Sequence, residues 1–252
     1  GAETRNKVAP RRRKHRTMLT VFSGGDGSAQ AAMQHSTGDA WVPIGGVEDK
    51  PDLVALWDAE AQERYGQDAG HILGDYDAVC AKLEQGQLLT PDGVIDCVVA
   101  TPPCQDYATV NPDAGGAAGP TGRFFADLPR FLALLKKRHH VKSVVLEEVV
   151  GVLATEEFGR LLEYLRQTAH QVCYGEAQFW FAGVASTRAR VILVAILVAE
   201  LKRPGPFSVP GLVARGDSSE QQRLRQSVPT LRHVLLDPEE VDPALREPLA
   251  DM

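Results

Sequence analysis

Residues 95–105 read Ile-Asp-Cys-Val-Val-Ala-Thr-Pro-Pro-Cys-Gln. The run 95–100 is short and apolar apart from Asp96, the pattern of a strand buried on both faces. Pro102 and Pro103 end it. Neither can donate to a ladder, and each holds φ near −65°, so together they stiffen the entry to Cys104. A single buried cysteine is usually structural. A cysteine just past a strand end, with flexible sequence after it, sits where nucleophiles are found. Residues 111–122, rich in Gly, Ala and Pro, read as a mobile loop.

Outward from this stretch the chain alternates between two periods. Residues 18–23 read as a strand, followed by a Gly-rich turn and a helix over 28–35. Residues 41–47 read as a second strand and 50–65 as a helix with Leu53, Leu56 and Trp57 on one face. A short strand at 71–73 and a helix at 78–84 follow. Beyond Cys104 come an amphipathic helix over 124–138, a strand over 143–146 ending at Glu147, a helix over 156–168, and strands over 172–180 and 191–198. Strand–helix alternation at this spacing predicts an α/β fold with a doubly wound, mostly parallel sheet. Ligands of such sheets sit beyond the carboxyl ends of the strands. There is no internal repeat.

The 252 residues suit one α/β domain with short appendages. Residues 1–17 read as a flexible basic arm around Arg11, Arg12, Arg13, Lys14 and Arg16. A solvated tail, a nuclear address and a phosphate-binding arm all remain open for it. The domain proper occupies 18–200. Residues 201–252, with Pro204, Pro206, Pro210 and a polar stretch at 216–219, read as an extension. Net charge is −6, mildly against a nucleic-acid partner, but a local basic face still binds phosphates. The longest apolar run, 191–199, is too short to span a bilayer, and no secretory leader is apparent. The expectation is no membrane association and a cytoplasmic or nuclear location, nucleoid-associated if bacterial. Cys80, Cys97, Cys104 and Cys173 show no metal-ligand spacing, and no metal is expected.

The candidate chemistry lies at predicted strand ends. Phe22-Ser23-Gly24-Gly25-Asp26-Gly27 follows a strand and opens a helix, a place where a cofactor approaches the backbone. Glu48, followed by Asp49, closes the second strand, where an acid can bond a ribose hydroxyl. Asp75, followed by Tyr76, closes the third. Taken singly, each carboxylate reads as a cap or a surface group. As an ordered set they point to a nucleoside-containing cofactor with no phosphate-gripping Lys motif. Glu147 ends another strand, and Arg188-Ala189-Arg190 places two guanidinium groups on one side of an extended backbone before the last strand.

This order of a Phe-x-Gly turn, an acid, an Asp, Pro-Cys-Gln, Glu-x-Val and Arg-x-Arg resembles the cytosine-C5 DNA methyltransferase family over about residues 18–200. The resemblance implies a class I methyltransferase fold of Rossmann-like type and S-adenosylmethionine as cofactor. Phe22, Ser23, Gly24 and Gly27 would line its pocket with Asp49, Tyr76 and Pro102, Glu48 would hold the ribose, and Asp75 the adenine. Cys104 would attack C6 of cytosine, Glu147 would bond N3 and the exocyclic amine, and Arg188 and Arg190 would shape the pocket. The substrate would be duplex DNA with the target cytosine flipped out, because C6 is unreachable in the stack. Covalent attack splits one hard methylation into easier steps.

Three motif positions depart from the family. Asp26 stands where it has a glycine, Glu148 where it has the Asn of Glu-Asn-Val, and Ala185-Ser186 where it has Pro-Gln. No complete target-recognition region is apparent after residue 200. Three readings stay open: the catalytic subunit of a split enzyme, whose partner chain supplies the target-recognition region and final helix; an inactive regulatory paralogue that binds an active methyltransferase; and a cytosine-C5 methyltransferase acting on RNA.

Overall fold

The computed structural model describes residues 15–24, 40–65, 70–108, 111–178 and 189–201. The predicted helix over 28–35 and the extension after 201 lie outside the described residues, as do Asp26, Ser186 and most of the basic arm. The strands are β1 (His15–Val21), β2 (Ala40–Val47), β3 (Ile72–Gly74), β4 (Val94–Ile95), β5 (Cys97–Ala100), β6 (His140–Val141), β7 (Ser143–Val149), β8 (His170–Gln178) and β9 (Ala189–Leu197). The helices are α1 (Pro51–Tyr65), α2 (Tyr76–Glu84), α3 (Gly122–Ala126), α4 (Leu128–Lys136) and α5 (Glu156–Gln167). Seven strands form one sheet in the order β3-β2-β1-β5-β7-β9-β8. All pairings from β3 to β7 are parallel. The expected α/β, doubly wound, mostly parallel sheet is what the chain forms.

The last hairpin departs from parallel pairing. β9 runs antiparallel to both β7 and β8. Ten residues, 179–188, join β8 to β9, fewer than a parallel crossover needs. Antiparallel pairing also lengthens β7. Its parallel partner β5 stops at Ala100 opposite Leu146, while β9 keeps pairing as far as Val149. Glu147 therefore lies inside a strand rather than at its end.

Three other predicted boundaries shift for local reasons. The strand expected over 95–100 is broken at Asp96, which turns aside to take the backbone N–H and hydroxyl of Thr17 and an ion pair from Lys142 at 2.7 Å. β4 then pairs with β6 in a separate two-stranded ladder. The helix expected over 124–138 is two helices meeting at Asp127. Pro129, at the start of α4, has no N–H to continue α3 and its ring would crowd the preceding turn. The basic arm ends earlier than residue 17, because His15, Arg16 and Thr17 pair with Ala40, Trp41 and Val42.

One face of the sheet is covered by α4 and α5. In α5, Phe158, Leu161, Leu162 and Leu165 recur at helical spacing and are all buried. Thr155 caps that helix by accepting from the Phe158 N–H, and Glu156 and Glu157 favour its positive end. Each fully buried leucine of this layer contributes about 1.5–3 kcal/mol of transfer free energy. Leu19, Val21, Val98, Ala100, Leu146 and Leu193 form the sheet's side of the core. No helix among the described residues is long and apolar enough to cross a membrane.

Candidate active site

The register of the sheet brings the candidate residues to one edge. Gly74, Val47, Val21, Ala100, Leu146 and Leu193 lie in a single row across six strands. The residue after each parallel member of that row is Asp75, Glu48, Phe22, Thr101 and Glu147. The chain reverses its direction of travel across the sheet between β1 and β5, which is where doubly wound sheets hold ligands.

Left of that switch point is a cavity of about 300 Å³, lined by Phe22, Glu48, Asp75, Tyr76, Pro103 and Phe124 together with Asp49, Asp77, Arg123 and Val47. Phe22 adopts φ 62°, a left-handed conformation rare for a bulky residue. Its carbonyl accepts from the Thr101 hydroxyl at 2.9 Å. Its ring lies 5.3 Å from Tyr76 in a stack and 5.2 Å from Phe124. Gly24 follows at φ 53° with open space around it, so backbone conformation rather than crowding requires the glycine.

Glu48 is nearly buried, and backbone donors fix its carboxylate. Oε2 accepts from the Gly24 N–H at 2.8 Å, and Oε1 from those of Asp49 and Lys50 at 3.0 and 3.1 Å. An ionised carboxylate has about four acceptor sites, so three such bonds leave room for a ligand hydroxyl. Asp75 both caps α2, accepting from the Ala78 N–H at 2.7 Å, and lines the cavity. Tyr76 forms a buried wall, its hydroxyl donating to Asp127 at 3.0 Å. Burial first, then the charge of Asp127, holds that phenol far above its ordinary range, so it stays a neutral donor.

Two expected pocket residues point elsewhere. The Ser23 hydroxyl turns into the sheet, bonded to Thr20 and the Val47 carbonyl, and does not line the cavity. Pro102 is buried, and its neighbour Pro103 takes the lining position. Gly27 lies outside the described residues. Sequence reasoning missed Arg123 and Phe124. They open the helix that follows the Gly-rich segment, which carries a helical turn at Gly116–Ala118 and is tied down by hydrogen bonds to Asp106. An aromatic at a helix start, directly after a glycine cluster near the switch point, was the available signal.

Right of the switch point are the reactive candidates. Cys104 is partly buried, with φ −96° and ψ 1°, and opens the helical turn Gln105–Tyr107. Backbone in this sparsely allowed region recurs at active sites. The Tyr107 N–H donates to the Cys104 carbonyl at 3.0 Å. None of the four cysteines is in a disulfide. Glu147 and Arg190 face the same side of the β7–β9 ladder as diagonal neighbours. Arg190 Nε meets Glu147 Oε1 at 2.6 Å, and Nη1 donates to the Ala189 carbonyl. Arg188 lies outside the described residues.

Glu148 faces the opposite side, into the apolar layer under α4 and α5. It is 1% exposed, Oε2 accepts from the Val149 N–H at 2.7 Å, and Oε1 has no hydrogen-bond partner among the described residues. Burial pushes its carboxyl up to about 8, and the charge of Glu147 pushes the same way. It is therefore protonated at neutral pH.

A model of C-5 cytosine-specific DNA methylases matches residues 50–240, more than half of the chain and including Asp75, Cys104, Glu147, Arg188 and Arg190. No curated protein matches. Among solved structures, the Entamoeba histolytica methyltransferase EhMeth is similar at 16% identity and TM-score 0.56, covering 77% of this chain and 57% of that one. The S. pombe Dnmt2 methyltransferase is similar at 14% identity and TM-score 0.52, covering 81% and 57%. A Spodoptera frugiperda DNMT2 mutant is similar at 16% identity and TM-score 0.50, covering 77% and 55%. These likenesses concern the fold, and this chain spans little more than half the length of each. With the family model matched across more than half of the chain, including Cys104, Glu147, Arg188 and Arg190, the chain belongs to the C-5 cytosine-specific DNA methylase family.

Proposed function

We propose that the chain transfers a methyl group from S-adenosylmethionine to C5 of cytosine in DNA, with Cys104 as nucleophile. The observation that carries this reading is the common row of strand ends. It sets a nucleoside-sized cavity, lined by Pro103, next to the turn that bears Cys104, and puts Glu147, paired with Arg190, further along the same row on β7. The cavity fits the cofactor's chemistry: aromatic faces at Phe22 and Phe124 for a base, Glu48 for ribose hydroxyls, Asp75 for an exocyclic amine. Bound there, S-adenosylmethionine supplies an electrophilic methyl group on a sulfonium.

The chain's own residues supply the nucleophile and hold the cytosine ring. The Cys104 thiolate adds to C6 of the flipped base, forming a C–S bond and moving electron density to C5. Glu147 holds the ring at N3 and its exocyclic amine, with Arg190 fixing the carboxylate. Once C5 carries the methyl group, loss of the C5 proton to a base breaks the C–S bond and returns the thiolate. We assign target choice to a partner chain, as a separate part of the proposal.

The test is covalent trapping on duplex DNA containing 5-fluorocytosine, in which the C5 fluorine blocks elimination. Wild type with cofactor is expected to give a denaturation-resistant adduct and Cys104→Ser none. An adduct that survives Cys104→Ser places the nucleophile elsewhere. Failure of wild type both to trap DNA and to bind S-adenosylhomocysteine favours a regulatory role, and preferential trapping of 5-fluorocytosine RNA changes the substrate. Robust methylation by the chain alone removes the partner from the proposal.

A further inference from the structure

Asp106 lies two residues beyond Cys104 and is 6% exposed. Its carboxylate collects four donors from one loop. Oδ2 accepts from the Thr121 N–H and the Gly122 N–H, each at 2.8 Å, and from the Thr121 hydroxyl at 2.5 Å. Oδ1 accepts from the Gly115 N–H at 3.4 Å. The loop is shaped around this group. A Cβ on Gly119 would fall 2.1–2.5 Å from the Asp106 carboxylate, and one on Gly122 would fall 1.8 Å from the Gly116 carbonyl. Next along the helical turn, the Tyr107 hydroxyl donates to the Gly122 carbonyl at 3.2 Å. Asn111 closes the loop from its other end, donating to the Gln105 carbonyl at 2.9 Å.

The two ends of this bridge do different work. One is the turn that begins at Cys104. The other runs directly into Arg123 and Phe124, which line the cavity. Methylation at C5 with attack at C6 requires the thiol and the methyl donor to address adjacent atoms of one ring. The relative placement of these two segments therefore sets the reaction geometry. We propose that Asp106 is a positioning residue, whose carboxylate fastens the Cys104 turn to the Thr121–Phe124 wall of the cofactor cavity and so registers nucleophile against methyl donor. The proposal rests on the methyltransferase reading of the site. The hydroxyl and N–H of Thr121, followed by the backbone N–H groups of Gly122 and Gly115, hold the carboxyl below its ordinary range, so the anchor stays charged where the enzyme would work.

Asp106→Asn is the diagnostic variant, since its amide turns N–H groups toward donors while keeping the volume. Thr121→Val removes only the hydroxyl donor, and Asp113→Asn, on the exposed outer part of the loop, is the control. Three quantities are read on folded protein with matched circular dichroism: the rate of Cys104 alkylation by iodoacetamide with and without S-adenosylhomocysteine, affinity for S-adenosylhomocysteine by calorimetry, and kcat against KM for methylation. The expected result for Asp106→Asn is a kcat lower by roughly 10- to 100-fold with affinity within about threefold, because misplacing reacting groups by about 1 Å costs up to roughly 100-fold. Wild type should show a several-fold change in alkylation when S-adenosylhomocysteine binds, and Asp106→Asn should lose it. Thr121→Val should fall between, and Asp113→Asn should match wild type. A folded Asp106→Asn with wild-type alkylation coupling overturns the proposal, as does a loss of kcat that Asp113→Asn reproduces. Alkylation needs no DNA, so failure of the cytosine chemistry in wild type leaves this comparison readable. Failure of wild type to bind S-adenosylhomocysteine sinks both.

Discussion

Arg190 Nε stands 2.6 Å from Glu147 Oε1 across the antiparallel seam between β7 and β9, where the parallel part of the sheet ends. The arginine side chain is 7% exposed and the glutamate 32%. Such a pair orients the acid, because a bidentate-capable guanidinium is rigid and permanently charged. Its local energetic value is testable by a double-mutant cycle with Glu147→Gln and Arg190→Met. A coupling of about 1–3 kcal/mol is expected from thermal or denaturant melts, since the residues are in direct contact. Each single variant should also lose adduct formation on 5-fluorocytosine DNA. Coupling below about 0.5 kcal/mol, the level of independent sites, would show that the two groups do not act together.

Glu148 makes stability depend on pH in an unusual direction. Its ordinary value is 4.5 and burial raises it to about 8 in the folded chain. Below about 4.5 both folded and unfolded states carry the proton. Between about 4.5 and about 8 the unfolded state ionises while the folded state does not, so stability falls with rising pH and the loss is complete near 8. At roughly 1.4 kcal/mol for each unit of difference, the full effect is on the order of 5 kcal/mol, an upper figure if the site relaxes. Glu148→Gln, or the Asn that the family carries there, should flatten this slope. Equal slopes for wild type and variant between pH 5 and pH 8 would contradict the assignment.

The sheet was legible in the sequence because each buried strand is a short apolar run bounded by turn residues, as at 97–100 and 143–149. Direction was not: the run 191–198 has the same composition whether it pairs parallel or antiparallel, and only the ten-residue connection before β9 carried that information. The same reversal moved Glu147 from a strand end into a strand. Cys104, Glu48 and Asp75 could be read because each follows a strand. Arg123, Phe124 and Asp106 could not, because their role arises from a loop whose glycines wrap a carboxylate, and composition alone makes that loop look mobile. Asp96 and Pro129 were visible breakers, and both broke the element that contained them.

Glu48 couples the Gly-rich turn to the cavity. Its Oε2 holds the Gly24 N–H and its Oε1 the start of the next loop. Glu48→Gln leaves one oxygen and turns an amide toward backbone donors. Hydrogen bonds to a charged group contribute about 1.5–3 kcal/mol, so affinity for S-adenosylhomocysteine should fall roughly 10- to 100-fold by calorimetry. Asp92→Asn, at a surface turn away from the cavity, should leave affinity unchanged. Wild-type affinity in Glu48→Gln would remove this residue from the cofactor site.

Two glycine-to-alanine changes should move stability in opposite directions. At Gly122 an added Cβ would meet the Gly116 carbonyl at 1.8 Å and the Asp106 Cβ at 3.1 Å. Backbone must shift to admit it, and overpacking of this kind costs about 1–3 kcal/mol. At Gly159, inside α5, an added Cβ meets nothing within 4 Å. There alanine restricts the unfolded chain and suits the helix, for a gain of about 0.5–1 kcal/mol. For a chain of this size, 1 kcal/mol moves Tm by roughly 2–4 °C. Gly122→Ala should therefore lower Tm by several degrees and Gly159→Ala raise it by a few. Because the Gly122 change acts on the cradle of Asp106, it should also slow methylation, whereas Gly159→Ala should leave the rate alone. A Gly122→Ala protein with unaltered Tm and rate would show that the loop accepts side chains and that its wrap around the carboxylate is not tight.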